Sequence, residues 1–240
     1  MILLFRRSKR ERIMAWGMRN IVIGLFGSSI MEGRIGVERA EDRYYAIMQR
    51  KLSERFPEVC FAVVNAAVGG ASLRELMAEF PDTVIPRDPD YCLFMPGFNN
   101  TDMENPGRTL RPGELEALMA EFQRTLPARC RRVGVMPHGV IDRYHSVTNN
   151  PVWREYLAER GGLNNSLAPE RAAIAQFFAE NRYPVIDLFS LIGRDPERYL
   201  LRSDGIHLSP EGHRLFGEAA FRMMEELLIK NHQTGNGRQC

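Results

Sequence analysis

The chain has 240 residues, of which 44% are hydrophobic and 26% charged, and its formal net charge is +2. That profile belongs to a folded chain long enough for one good core, and it excludes a largely disordered protein. So weak a net charge gives no reason to expect nucleic acid or a membrane surface as partner, and no apolar run approaches the roughly 18 residues a membrane span needs.

Residues 1–19 are basic, with Arg6, Arg7, Lys9, Arg10 and Arg12. The apolar Ile2-Leu3-Leu4-Phe5 precedes those charges instead of following them, so the stretch is not patterned as an export signal and reads as a flexible arm. From residue 20 to 230 the pattern alternates strand and helix without a repeat or a low-complexity linker, which predicts one domain. Asn20 to Phe26 reads as the first strand. Tyr45, Met48, Leu52 and Phe56 give helical spacing over Glu38 to Phe56. Val59 to Asn65 is a second strand, followed by a short helix from Leu73 to Phe80. Tyr91 to Met95 is a third strand. Pro112-Gly113 opens a helix over Glu114 to Leu126, and Arg132 to Met136 is a fourth strand. A helix over Pro169 to Asn181, a fifth strand over Tyr183 to Leu188 and a last helix over Pro210 to Ile229 complete the series. Short apolar strands between helices imply a parallel sheet covered on both faces. The insertion 139–168 breaks the rhythm with Gly, Asn and Pro and is expected to be a lid or substrate loop. Residues 231–240 read as a disordered polar tail.

The four cysteines, Cys60, Cys92, Cys130 and Cys240, form no CxxC pair. They read as free thiols, with Cys60 and Cys92 buried in strand patterns, and the chain is expected in a reducing cytoplasm. No H-x-x-x-H, H-E-x-x-H or Cys/His cluster occurs, so no metal and no cofactor are expected.

Four stretches carry chemistry. The first strand breaks into Gly27-Ser28-Ser29-Ile30, which would present a hydroxyl at the carboxyl end of the sheet. A serine needs an adjacent base. Asp204-Gly205-Ile206-His207 offers one, with a carboxylate three residues before the imidazole, able to fix its tautomer. Ser209-Pro210 then signals a helix start. Asn65-Ala66-Ala67-Val68-Gly69-Gly70 lets the backbone turn and bring an N–H near a ligand. Gly97-Phe98-Asn99-Asn100 adds a side-chain amide. With the N–H of Ser29, such donors would make an oxyanion hole.

These stretches resemble, in order, the blocks G-D-S-[LI], N-x-x-x-x-G, G-x-N-D and D-x-x-H of the SGNH (GDSL-type) hydrolases, a family of esterases and lipases. The resemblance implies a flavodoxin-like three-layer α/β/α sandwich of about five parallel strands. It implies Ser29 as nucleophile, rather than the neighbouring Ser28, His207 as base and Asp204 as its orienting acid. Ser29, Gly70 and Asn99 would form the oxyanion hole. Ser28 and Asn100 stand where the family has aspartates; the loss of charge at position 28 removes a brace expected on that loop. A second D-x-x-H, Asp142 to His145, lies in the insertion without a helix start and reads as solvated loop or substrate contacts. His138 is expected to be a satisfied polar residue bordering the pocket, and His213 a surface or packing residue. The expected function is a serine ester hydrolase acting on small acyl esters, such as acetyl on a sugar or other alcohol, with a small-molecule ester as its partner. The alternatives are an acyltransferase on the same triad and a non-catalytic binding domain.

Overall fold

The computed structural model describes residues 19–235. Five strands, β1 (Arg19–Gly27), β2 (Val59–Asn65), β3 (Tyr91–Met95), β4 (Arg131–Met136) and β5 (Val185–Asp187), form one sheet in the order β2-β1-β3-β4-β5. Every pairing is parallel, as the sequence pattern and the resemblance both predict. The chain leaves β1 toward β2 on one side and reaches β3 on the other. This reversal opens a crevice beyond the carboxyl ends of β1 and β3, where such sheets bind ligands.

Strand alternation divides the sheet's two faces. Ile21, Ile23 and Leu25 of β1 join Tyr91, Leu93 and Met95 of β3 and Val133 and Val135 of β4. Against them pack Tyr44, Met48 and Leu52 of α2 (Tyr44–Arg55) and Phe216, Ala220 and Met224 of α10 (Pro210–Gly235). On the other face Phe26, Cys92 and Phe94 meet Phe80 of α3 (Leu73–Thr83), Phe122 of α4 (Glu114–Thr125) and Phe178 of α7 (Ala168–Glu180). The Phe94 and Phe122 rings stack with centroids 3.9 Å apart. The short helix α1 (Ser29–Glu32) follows β1 directly.

Several expectations shift. The predicted helix over Glu38 to Phe56 begins only at Tyr44, after a 3-10 turn at Ala40–Asp42, because Arg43 is extended. The fifth strand shrinks to Val185–Asp187, and two helices not foreseen follow it, α8 (Leu188–Gly193) and α9 (Pro196–Tyr199). The insertion is not an irregular loop. It holds 3-10 turns at Asp142–Tyr144 and Ser146–Asn149, then α5 (Pro151–Arg160) and α6 (Leu163–Ser166), around a small core of Val140, Trp153, Leu157 and Leu163. Its Asn, Pro and Gly are helix punctuation: Asn150 caps α5 by accepting from the Val152 N–H at 3.0 Å, Pro151 takes the first position and Gly161 ends the helix at φ +70°. Helix α10 runs on to Gly235, so residues 231–235, expected in the tail, are helical. The remainder of that tail and residues 1–18 of the basic arm lie outside the described residues, as does Cys240. Cys92 and Cys130 are buried, but Cys60 is exposed. Its strand lies at the sheet edge, where only the face carrying Val59 and Phe61 is covered. Among the described residues no helix is long and apolar enough to cross a membrane.

Candidate active site

Ser29 is the first residue of α1, so its own N–H has no partner within the helix. The turn that delivers it is tight. Gly27 has φ +156°, and a Cβ there would lie 2.6 Å from the Met31 side chain and 2.8 Å from the Met95 carbonyl. Ser28 is buried, with its hydroxyl 3.5 Å from the Gly97 carbonyl. A serine fits that dry position, whereas an unpaired carboxylate would be costly there.

The last block converges on the same point. The Asp204 Oδ1 accepts the N–H groups of Ile206 and His207, each at 2.9 Å. Gly205 adopts φ +69° to close the turn. These bonds fold Asp204 back under the His207 ring. The His207 Nδ1 lies 3.0 Å from Asp204 Oδ2, and its Nε2 lies 3.0 Å from Ser29 Oγ. Burial pushes the Asp204 carboxyl up, but the N–H groups of His207 and Ile206 and the imidazole outweigh it and hold it below the usual range. Ser209 caps α10, its Oγ accepting from Gly212 N–H at 3.1 Å and donating to the Arg198 carbonyl at 2.6 Å. His213, in the first turns of α10, is buried and packed: its Nε2 lies 2.8 Å from the Ile35 carbonyl, and its Nδ1 accepts from the Tyr44 N–H at 3.3 Å. The helix behind His207 is thereby fastened to the segment that follows Ser29.

The second block turns at Val68–Ala71, closed by the Ala71 N–H on the Val68 carbonyl at 3.3 Å, with Gly70 at φ +74°. A left-handed residue at the third position of such a turn favours glycine. A Cβ on Gly69 would come 3.8 Å from the Ser29 Cβ and 2.8 Å from Glu32 Oε2, so backbone passes close to the serine. Asn65 pins the two blocks together, donating to the Glu32 carbonyl at 3.0 Å. The Asn99 Nδ2 donates to the Ala71 carbonyl at 3.3 Å and links the third block to the second.

Gly70 and Asn99 border a cavity of about 210 Å³ whose far wall is the insertion, through Val140, His145, Trp153 and Leu163. A larger groove of about 720 Å³ between α2 and α10 contains none of these residues, and several of its charges are already paired, as in Lys51–Glu218. In the second D-x-x-H, Asp142 accepts from the Leu163 N–H and the Asn164 amide, so it braces the insertion while His145 faces the cavity. His138 departs from expectation. It is fully buried, with Nδ1 on the Gly139 carbonyl at 2.6 Å, but its Nε2 has no hydrogen-bond partner among the described residues. Burial holds its pKa down to about 4, so the ring is neutral at pH 7.

Two residues that sequence reasoning missed act on this region. Arg108 donates to the Gly70 carbonyl at 2.7 Å and to Glu75 and Asp102. Glu170, at the start of α7, accepts from the Phe98 N–H and the Asn100 amide. Neither stands in a motif with local spacing. Among the described residues no cluster of His, Cys, Asp and Glu is arranged to hold a metal.

The model of the GDSL-like lipase/acylhydrolase family matches residues 25–215. No curated relative matches the chain. Solved structures with the same fold include a lipase/acylhydrolase from Enterococcus faecalis, at TM-score 0.65 and 20% identity over 87% of this chain and 96% of that one. The acetyl xylan esterase AlAXEase aligns at TM-score 0.64 and 19% identity, over 84% and 98% of the two chains. Axe2, an acetylxylan esterase from Geobacillus stearothermophilus, aligns at TM-score 0.62 and 19% identity, over 86% and 95%. At these identities the likeness is one of fold.

Proposed function

Because this chain belongs to the GDSL-like lipase/acylhydrolase family and is a carboxylic ester hydrolase, we propose that Ser29, His207 and Asp204 carry the hydrolysis. The observation that carries the reading is the pair of 3.0 Å contacts that places His207 between the Ser29 hydroxyl and the Asp204 carboxylate. A hydroxyl is activated by a base held in one tautomer, and this arrangement supplies both. Ser29 Oγ attacks the ester carbonyl carbon while His207 Nε2 takes its proton. The carbonyl oxygen gains negative charge and rests on the Ser29 N–H, the Gly70 N–H and the Asn99 amide. His207 then gives its proton to the departing alcohol. Water, deprotonated by the same ring, releases the acyl group and restores the serine. Asp204 steadies the imidazolium in both halves. The substrate is a small acyl ester of a sugar or other alcohol. That part of the reading is supported by the acetyl xylan esterases that share the fold and by a cavity that is modest beside the roughly 300–1,000 Å³ of drug-sized ligand sites.

The test is p-nitrophenyl acetate hydrolysis by the parent chain and by Ser29→Ala, with a fluorophosphonate probe as a second readout. The variant is expected to lose on the order of a thousandfold or more in kcat and to resist labelling. Turnover equal to the parent's would remove Ser29 from the mechanism. A series of longer p-nitrophenyl esters tests the acyl preference, with kcat/KM expected to fall as the chain lengthens.

A further inference from the structure

We infer that Glu170 is a positioning residue for Asn99: it supplies, from α7, the carboxylate that the G-x-N-D pattern would place at position 100, and it locks the loop that presents the amide to the oxyanion. The inference rests on the reading of Ser29, His207 and Asn99 given above.

The loop Pro96–Asn100 leaves β3 under strain. Phe98 has φ +85°, a left-handed conformation that a bulky residue holds at a cost of order 1–3 kcal/mol and only where its surroundings enforce it. Gly97 is pressed between two neighbours. A Cβ there would lie 2.6 Å from Pro137 Cγ and 3.3 Å from Glu170 Oε1. The same Glu170 oxygen accepts the Phe98 N–H at 3.1 Å and the Asn100 Nδ2 at 3.0 Å. The residues on either side of Asn99 are therefore tied to one carboxylate. Asn100 completes the lock, donating also to the Pro96 carbonyl at 2.9 Å and accepting from the Leu73 N–H at 2.8 Å.

This arrangement explains why position 100 is an amide. Asn100 must donate to two oxygens, Pro96 O and Glu170 Oε1, and accept from one N–H. An aspartate there could only accept when ionised. It would set one carboxylate against another and leave the Pro96 carbonyl without its donor. Burial raises the Glu170 pKa, while the Phe98 N–H, the Asn100 amide and the adjacent Arg171 act to lower it. An acidic residue in a first helical turn also has a common structural role, facing the helix dipole. That role needs no contact with residues 98 and 100, and losing it would change stability without changing turnover.

The experiment compares the parent with Ser29→Ala, Glu170→Ala, Glu170→Gln and Asn100→Asp, measuring kcat, KM and thermal midpoint with p-nitrophenyl acetate. Glu170→Ala is expected to lose kcat by tenfold to on the order of a hundredfold, with KM within about twofold, because a displaced oxyanion donor is felt in the transition state. Asn100→Asp alone is expected to lose kcat similarly. Glu170→Gln, whose amide oxygen can stand where Oε1 accepts both the Phe98 N–H and the Asn100 amide, is expected to keep most of the parent's kcat. A Glu170→Ala or an Asn100→Asp kcat within about twofold of the parent, or a Glu170→Gln no more active than Glu170→Ala, would overturn the inference. If Glu170→Ala does not fold, the comparison of Asn100→Asp with the parent decides alone. If Ser29→Ala turns over like the parent, it is the reading of the site that fails, a separate outcome.

Discussion

The two oxygens of Asp204 face different partners. Oδ1 closes the turn by accepting from Ile206 and His207, and Oδ2 faces the imidazole. Asp204→Asn keeps an acceptor for the turn but sets an N–H₂ against Nδ1. The ring must then carry its proton on Nε2, the atom meant to accept from Ser29. The expected result is a loss of a thousandfold or more in kcat, on the order seen when a triad acid becomes an amide, with the thermal midpoint little changed. A kcat within about tenfold of the parent would show that Asp204 is dispensable for orienting His207. The convergence of Ser29, Asp204 and His207 is legible in the sequence because their signals are local: a strand breaking into small residues, and a carboxylate three positions before an imidazole. Glu170 and Arg108 are not, because each acts on residues 38 to 72 positions away. In the linear chain they read as an ordinary helix start and an exposed base.

Among the elements, β4 shows how closely the layers approach. Gly134 pairs with Phe94 on one side and Val185 on the other, and it faces α7. A Cβ at this position would lie 2.6–2.9 Å from three atoms of the Phe178 ring. That ring is buried, 5.4 Å from the Tyr183 ring and 6.3 Å from Phe94, and has nowhere to retreat. Gly134→Ala is therefore an overpacking change, expected to destabilise by about 1–3 kcal/mol. For a chain of this size that lowers the thermal midpoint by roughly 2–4 °C per kcal/mol. Activity per folded molecule should hold, since the site lies beyond the strand ends; an unchanged midpoint would mean that α7 can slide. The elements themselves are mostly readable. The β1, β2 and β3 runs are apolar, bounded by Gly or Pro, and fall within a residue or two of the prediction. The insertion resists such reading because capping residues and loop residues are the same residue types. Asn150-Pro151 and Gly161 bracket a helix whose apolar contacts, Trp153 and Leu157, are too few to declare a face.

At the scale of the whole molecule, two cores hold the sheet and a third, small one holds the insertion. His138 stands where the insertion leaves β4, and there pH acts on the fold. Burial depresses its pKa to about 4, and the nearby His207 and Arg171 add to the effect. An unfolded histidine titrates near 6.5. Between those values the unfolded chain binds a proton that the folded chain refuses, so stability rises with pH across this window. The contribution is fully present above about pH 6.5 and is lost as the pH falls toward 4, amounting to about 3 kcal/mol for a shift of this size. His145 and His213 are depressed too, mainly by burial, and act in the same direction. Carboxylates held low by N–H groups and guanidiniums, such as Glu75 at about 2, yield only at more acid pH. The measurement is the guanidinium midpoint at pH 7 and pH 4.5 for the parent and for His138→Asn, whose amide can replace the Nδ1–H bond to the Gly139 carbonyl without titrating. The variant is expected to lose markedly less stability between the two pH values, even if it starts lower at pH 7. An equal loss in both chains would place the acid sensitivity in the other histidines, and His138 would be protonating without cost.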